Sequence, residues 1–240
     1  MASSNELSIA IDNLDWPKAE ILAKEFPSLA SSWSKRSGVF EGVKKSHCLA
    51  IHEACLSTAP ASIIQAIHEA HPNGVRTKES SFSRLPLHCA CKRTSSDPLV
   101  IAVLIHAHKN ACLIPDSMGR LPLHYALSNG ADTTIIYLLL SSHPDSAKGV
   151  DLYGWSPLHV ACSVGNKPAI IALLQIYPEA TITRTNKGST PLSCLSKTME
   201  DRCEVKQLLK AARQQFDSTF ANPLTAPRIL LHSDTETFLV

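Results

Sequence analysis

Read as apolar and polar positions, the chain repeats one order: a short apolar stripe, a break, a longer and nearly continuous apolar run, then a proline. From Arg120 to Ala147 the order is Leu-Pro-Leu-His-Tyr-Ala-Leu, a break at Gly130, the run Ile135 to Leu140, and His143-Pro144. Leu123, Ala126 and Leu127 stand at i, i+3 and i+4, the spacing of one helical face, and Gly130 suits the left-handed position after the last turn. The run Ile135 to Leu140 is apolar almost all round, as in a helix sandwiched between neighbours, and Pro144 prevents it from continuing. The stretch therefore predicts a pair of helices.

The same order recurs with a period. LPLHCA places a histidine at 88, LPLHYA at 124 and SPLHVA at 159, steps of 36 and 35 residues, while LAIHEA sets His52 another 36 back and TPLSCL sets Ser193 another 34 on. LVIAVL, IIYLLL and AIIALL follow the anchor at similar distances, and HPNG, HPDS and YPEA close units. A period of a few tens of residues means supersecondary units that bury their apolar faces only by stacking. Between units, Asp116-Ser-Met-Gly119, Asp151-Leu-Tyr-Gly154 and Thr185-Asn-Lys-Gly188 supply turns that need positive φ at glycine. Pro122, Pro157 and Pro191 fall at first helical positions, where no N–H is lost, and Ser156 and Thr190 precede two of them as N-caps.

These residues resemble the ankyrin repeat, with its Thr-Pro-Leu-His-x-Ala after a turn ending in Gly. The resemblance runs from about Leu7 to Ala212 and implies an all-α solenoid of stacked helix-turn-helix units with hairpin-like turns. It divides the chain into a flexible stretch at 1–6, units near 7–40, 47–82, 83–118, 119–153, 154–187 and a shorter one at 188–212, and a tail at 213–240. The pattern is departed from at Leu85 and Leu121, which replace the capping Thr, and at Ser83, which replaces the turn Gly. First-helix caps are therefore expected to be weaker in the third and fourth units. Trp16 and Trp33 are expected to cover the N-terminal edge of the core.

Composition narrows the function. A formal net charge of +2 over 240 residues lacks the basic character of a nucleic-acid binder, so no nucleic acid is expected. With no leader-like start and no apolar run of membrane-span length, the chain is expected to have no membrane span and to be cytoplasmic or nuclear rather than secreted. The eight cysteines show no CxxC pair and are expected to be reduced.

Histidine and cysteine are the candidates for chemistry. His52, His88, His124 and His159 occupy one repeat position, where the family resemblance implies hydrogen bonding to the loops between units. Copies one repeat apart stand about 10 Å from each other, too far to share a zinc ion with bonds of about 2 Å. Cys55, Cys91 and Cys162 share another position as small core residues. His68-Glu-Ala-His71 is one residue short of the spacing that puts both imidazoles of a zinc protease on one helical face. No catalytic residue, metal or cofactor is expected. The competing reading, an enzyme using Cys and His on a helical scaffold, requires an exposed thiol of low pKa.

Function is then expected of the surface that the repeat leaves free. The resemblance implies a concave groove, lined by turn tips and the exposed face of each first helix, that binds a partner protein. By position the tips are Ser117, Met118 and Arg120; Leu152, Tyr153 and Trp155; and Asn186, Lys187 and Ser189. The helix positions are Lys92 and Arg93, Ser128 and Asn129, and Ser163 and Val164. Tyr153 and Trp155 stand out, because Tyr, Trp and Arg dominate interface energetics.

Overall fold

A computed structural model describes residues 5–36, 45–93 and 96–221, with side chains as far as Gln215. The stretch expected to be flexible at 1–6 lies outside the description up to residue 4, and the tail lies outside it from residue 222.

Five helix pairs follow one another: α1 (Glu6–Asp12) with α2 (Trp16–Glu25), α3 (Ala50–Leu56) with α4 (Ala61–Ala70), α5 (Pro86–Cys91) with α6 (Pro98–Ala107), α7 (Pro122–Ser128) with α8 (Thr133–Ser142), and α9 (Pro157–Val164) with α10 (Lys167–Ile176). First helices pack on first helices and second on second, from α1 through α9 and from α2 through α10, so the molecule is a two-layer stack. All five second helices stop before short 3₁₀ turns, which begin at Pro27, Pro72, Lys109, Pro144 and Pro178.

The first helices approach closely because the position two residues after each repeat histidine is alanine. Ala54, Ala90, Ala126 and Ala161 are all fully buried, followed by buried Cys55, Cys91, Leu127 and Cys162. The second helices contribute the larger aliphatics, such as Ile101, Leu104, Ile135, Leu139, Ile170 and Leu173. Pro86, Pro122 and Pro157 begin α5, α7 and α9, as their missing N–H permits. Ser156 caps α9 by accepting from the His159 N–H, whereas Leu85 and Leu121 give α5 and α7 no side-chain cap, so the weaker caps fall in the third and fourth units.

Two features depart from a purely helical reading. Strands β1 (Trp33–Arg36) and β2 (Ser46–Leu49) pair antiparallel, from Trp33 opposite Leu49 to Arg36 opposite Ser46. The pairing positions Arg36 between α1 and α3, where its Nε lies 2.6 Å from Glu53 Oε1 and its Nη2 2.9 Å from Asp12 Oδ1. Ser34 Oγ also donates to Glu53. Burial by itself would raise the Glu53 carboxyl, but the Arg36 and Ser34 bonds outweigh it and hold the pKa below its ordinary value. Of the two tryptophans, Trp16 packs against the core and Trp33 is exposed.

The second departure is in the sixth unit. Pro191 to Cys194 make a single turn rather than a helix, with Cys194 N–H bonded to both Thr190 O and Pro191 O. The chain then turns away as Ser196 N–H donates to Cys162 O at 2.9 Å. Helix α11 (Arg202–Ala221) follows, beyond the boundary drawn at 212, and closes the helical layers by packing on α10 and on the 3₁₀ turn at Pro178–Ile182.

Candidate functional site

The repeat histidines set the geometry of the surface. Each sits at the third position of a first helix, where its Nδ1 accepts the N–H of the residue before the helix: Leu49 to His52 at 3.3 Å, Leu85 to His88 at 3.2 Å, Leu121 to His124 at 3.1 Å and Ser156 to His159 at 3.2 Å. That bond leaves the proton on Nε2, which His52 donates within its own unit to Thr77 O at 3.0 Å and the other three donate to the next unit, to Arg120 O at 3.1 Å, Trp155 O at 3.1 Å and Ser189 O at 3.0 Å. The imidazoles of His88, His124 and His159 are thus staples between adjacent units. Burial pushes His52 and His88 down to about 4 and lowers His124 and His159 as well.

The stapled segments are projecting fingers. Asp116 Oδ1 accepts from Met118 and Arg120 at 2.8 and 2.9 Å, and Asp151 Oδ1 from Tyr153 and Trp155 at 2.9 and 2.8 Å. The third unit solves the same problem with a longer loop, Glu79 to Arg84, and the longer acid: Glu79 accepts from the N–H groups of Ser81, Phe82 and Arg84. Ser83, in place of glycine, takes φ of 56° there. Single backbone bonds tie each finger to the last, Ser80 N–H to His47 O, Ser117 to Phe82, Leu152 to Met118 and Asn186 to Tyr153, at 2.7 to 3.1 Å.

Behind the third and fourth fingers lies a buried polar cluster that the repeat pattern did not reveal. Arg84 donates through Nε and Nη2 to Tyr125 Oη at 3.1 and 2.9 Å, and Tyr125 Oη donates to Asp116 Oδ2 at 2.6 Å. The Arg84 guanidinium stands 4.3 Å from the Phe82 ring centroid and 4.9 Å from that of Tyr125. Burial, then the bond to Asp116, pushes the Tyr125 hydroxyl up to about 12. The available signal was a tyrosine directly after the anchor histidine, where the neighbouring units have Cys89 and Val160. Tyr125→Phe is expected to destabilise the protein by about 1–3 kcal/mol in urea unfolding, because it leaves buried polar partners unsatisfied. A change near zero would show that the cluster contributes no net stability.

Between the fourth and fifth units the surface opens into a cleft of about 220 Å³, lined by Arg120, His124, Ser128, Asp151, Tyr153, Trp155, Val160, Ser163 and Val164. The cleft brings together Arg120, Ser128, Tyr153 and Trp155 of the expected partner-binding residues. Tyr153 and Val164 are exposed at 53% and 45%. Trp155 is only half-exposed, its ring tilted against that of His159 with centroids 5.9 Å apart, so part of its role is local packing. Arg120 reaches toward Asp151 at 3.5 Å. Ser117, Met118 and Leu152 lie on the adjoining tips, and Leu152 is exposed at 63%. Ser128 and Asn129 turn toward the Tyr125 carbonyl, at 3.1 and 2.8 Å. Asn186 and Lys187 stand on the last finger, away from the cleft lining, and the Asn186 amide donates to Leu152 O at 2.8 Å.

The thiols show the reverse of activation. Six of the eight cysteines are buried. Burial, helped by the nearby Glu53 charge, pushes Cys48 up to about 12; burial likewise pushes Cys112 up to about 11 and, first among its causes, Cys162 up to about 12. Cys55, Cys89 and Cys91 move in the same direction for the same reason. Cys203 is the exposed one. His71 caps the end of α4, after Ala70, and among the described residues no three His, Cys, Asp or Glu side chains are grouped to hold a metal ion.

A family model for ankyrin repeats in three copies matches residues 51–148, and one for a single ankyrin repeat matches residues 153–182. The chain belongs to the ankyrin repeat family. No curated protein shows a significant sequence match to it. Ankyrin repeats are general protein–protein interaction modules, and the family is typically non-enzymatic. In this ankyrin array the histidine staples and finger carboxylates are the structural part of the motif, and the residues between them vary at the surface. Among the described residues no helix is long and apolar enough to cross a membrane.

Proposed function

We propose that this ankyrin array is a non-catalytic scaffold or adaptor that holds a partner protein in the cleft between its fourth and fifth units. The observation that carries this reading is the pairing of exposed apolar side chains, Tyr153 and Val164, with polar groups, Arg120, Ser128 and Ser163, in one concave cleft. An exposed aromatic beside a fixed cation is the composition of an interface anchor rather than of a solvated surface. The tips Ser117, Met118 and Leu152 extend the surface on one side of the cleft, and Asn186 and Lys187 on the other.

Preorganisation is the mechanism. Each cleft wall is held by a histidine staple and a finger carboxylate before any partner arrives, so little ordering entropy is lost on association. The side chains of Tyr153 and Val164 take no part in the staples or the bonds between fingers, so specificity can vary there without cost to the stack.

The test is affinity capture from a native lysate with the full chain, comparing the wild type with a Tyr153→Ser, Val164→Ser variant. The variant is expected to lose a specific partner by a factor of about 30 or more, as removal of a hot spot does, while its urea midpoint shifts by no more than about 0.5 kcal/mol in stability. Retention of the same partner by both proteins would remove the cleft as the binding site. Trp155→Ser is kept apart from this variant because its ring packs on His159 and its loss would lower stability.

A further inference from the structure

The fingers form a ladder, and among the described residues the ladder ends open. Ser117, Leu152 and Asn186 each follow the first residue of a finger and donate a backbone N–H to the finger before: to Phe82, Met118 and Tyr153. Met118 and Tyr153 each precede the finger glycine, so the next acceptor in the series is the carbonyl of Lys187, before Gly188. Among the described residues no further finger donates to it.

The glycines report the same vacancy independently. A Cβ on Gly119 would stand 3.0 Å from Leu152 N, and one on Gly154 would stand 2.9 Å from Asn186 N, because the following finger presses against each. A Cβ on Gly188 would meet nothing within 4 Å among the described residues, although its φ of 78° matches theirs. The helical layers do not share this open end, since α11 packs across α10 and the turn at Pro178–Ile182. The sequence agrees: Ser193 replaces the histidine that would staple a further finger, and its hydroxyl folds back to Thr190 O at 2.8 Å.

Charge selects what fits there. The last finger and its stem, Thr183-Arg-Thr-Asn-Lys-Gly-Ser-Thr190, carry two cations and no carboxylate, because Thr185 stands where the two preceding fingers have Asp116 and Asp151. Arg184 and Lys187 are exposed and form no ion pair among the described residues, although Arg184 Nη1 donates to Gly188 O at 2.9 Å.

We propose that the open edge at Asn186–Gly188 is a second binding site, which takes an extended acidic peptide segment of a partner protein in the place of a further finger. One N–H of the segment donates to the Lys187 carbonyl, its backbone lies over Gly188 where no side chain intervenes, and its carboxylates face Lys187 and Arg184. This is strand addition to an exposed edge, with charge supplying the selectivity. The site lies outside the cleft lining, on residues that also border the cleft surface, and its test is separate from that of the cleft.

The test is selection of random twelve-residue peptides displayed on phage against the full chain, followed by titration of the enriched peptides as fluorescent conjugates. Enriched sequences are expected to be net acidic, to weaken about tenfold or more on an Arg184→Glu, Lys187→Glu variant, and to weaken as salt is raised. Replacing alternate peptide N–H groups by N-methyl is expected to abolish binding in one of the two registers. Lys187→Glu alone, which removes no side-chain bond of the finger, serves if the double variant is destabilised. No enrichment, enriched peptides of neutral or basic character, or binding that survives charge reversal or both N-methylated registers would overturn the proposal. Peptides lost on Val164→Ser instead belong to the cleft and would overturn it equally.

Discussion

Between pH 7 and pH 5 the protein is expected to lose roughly 4 kcal/mol of folding stability from His52 and His88 alone, about 2 kcal/mol each. Both imidazoles are neutral in the folded state, with Nδ1 accepting a backbone N–H and Nε2 donating to a backbone carbonyl, and burial places their folded pKa at about 4 against an ordinary 6.5. Between those two values the unfolded chain binds protons that the folded chain refuses, so stability is fully present above 6.5 and falls as the pH drops toward 4. His124 and His159 are lowered too and add to the loss in the same direction. Glu53 acts in a lower window, because its carboxyl is held below the ordinary 4.5, so its contribution is lost only as the pH falls below that value.

Urea unfolding across this range tests the expectation. His88→Asn should lower stability at pH 7 yet shrink the loss between pH 7 and pH 5 by about 2 kcal/mol, since one of the refusing sites is gone. A stability that is flat from pH 7 to pH 5 would mean that the imidazoles accept protons in the folded state, which the two bonds on each ring do not allow without breaking one. The added proton has to go to Nδ1, the acceptor within the unit, while Nε2–H keeps its bond to the carbonyl, so acid is expected to loosen the start of each first helix before the coupling between units.

The repeat was legible because stacking imposes the same demand on every layer. Proline at the first helical position, histidine two residues on and alanine two beyond that are each fixed by one local requirement, so their recurrence in sequence exposed the architecture. What escaped were solutions made once. The longer third finger answers an extra residue between Glu79 and Arg84 by using glutamate for aspartate, a compensation visible only when the hydrogen bonds are seen. The Arg84, Tyr125 and Asp116 cluster joins residues 41 and 9 positions apart through side chains that are individually unremarkable for a surface. TPLSCL reads as a helix start, yet without the histidine the segment completes one turn and leaves. Of the candidate site, the tip positions followed from the period, but which tips share a cleft depends on how neighbouring fingers lean. Trp155, equally prominent in sequence beside Tyr153, proves to share its ring with His159.

Glycine substitutions measure how much the ladder between fingers contributes. Gly154→Ala is expected to destabilise the protein by about 3–4 kcal/mol: about 1–2 from placing a side chain in the left-handed region, and about 1 from each of two weakened inter-finger hydrogen bonds. The new Cβ would stand 2.9 Å from Asn186 N and 3.0 Å from Thr185 Cα, backbone atoms that cannot move aside as a flexible side chain does. To admit it the sixth finger must retreat, stretching the bonds from Asn186 N to Tyr153 O and from Asn186 Nδ2 to Leu152 O, now 2.9 and 2.8 Å. Gly188→Ala carries only the backbone strain, about 1–2 kcal/mol, because nothing among the described residues faces its Cβ. The two substitutions share chemistry and φ, so the difference in their urea midpoints isolates contact between fingers from strain within one. Equal losses would show that the finger ladder contributes no energy of its own and that the helical layers alone hold the units in register. A loss at Gly154 about twice that at Gly188, with faster amide exchange at Asn186, would make the fingers a second cohesive layer, and their open end a surface with unused bonding capacity.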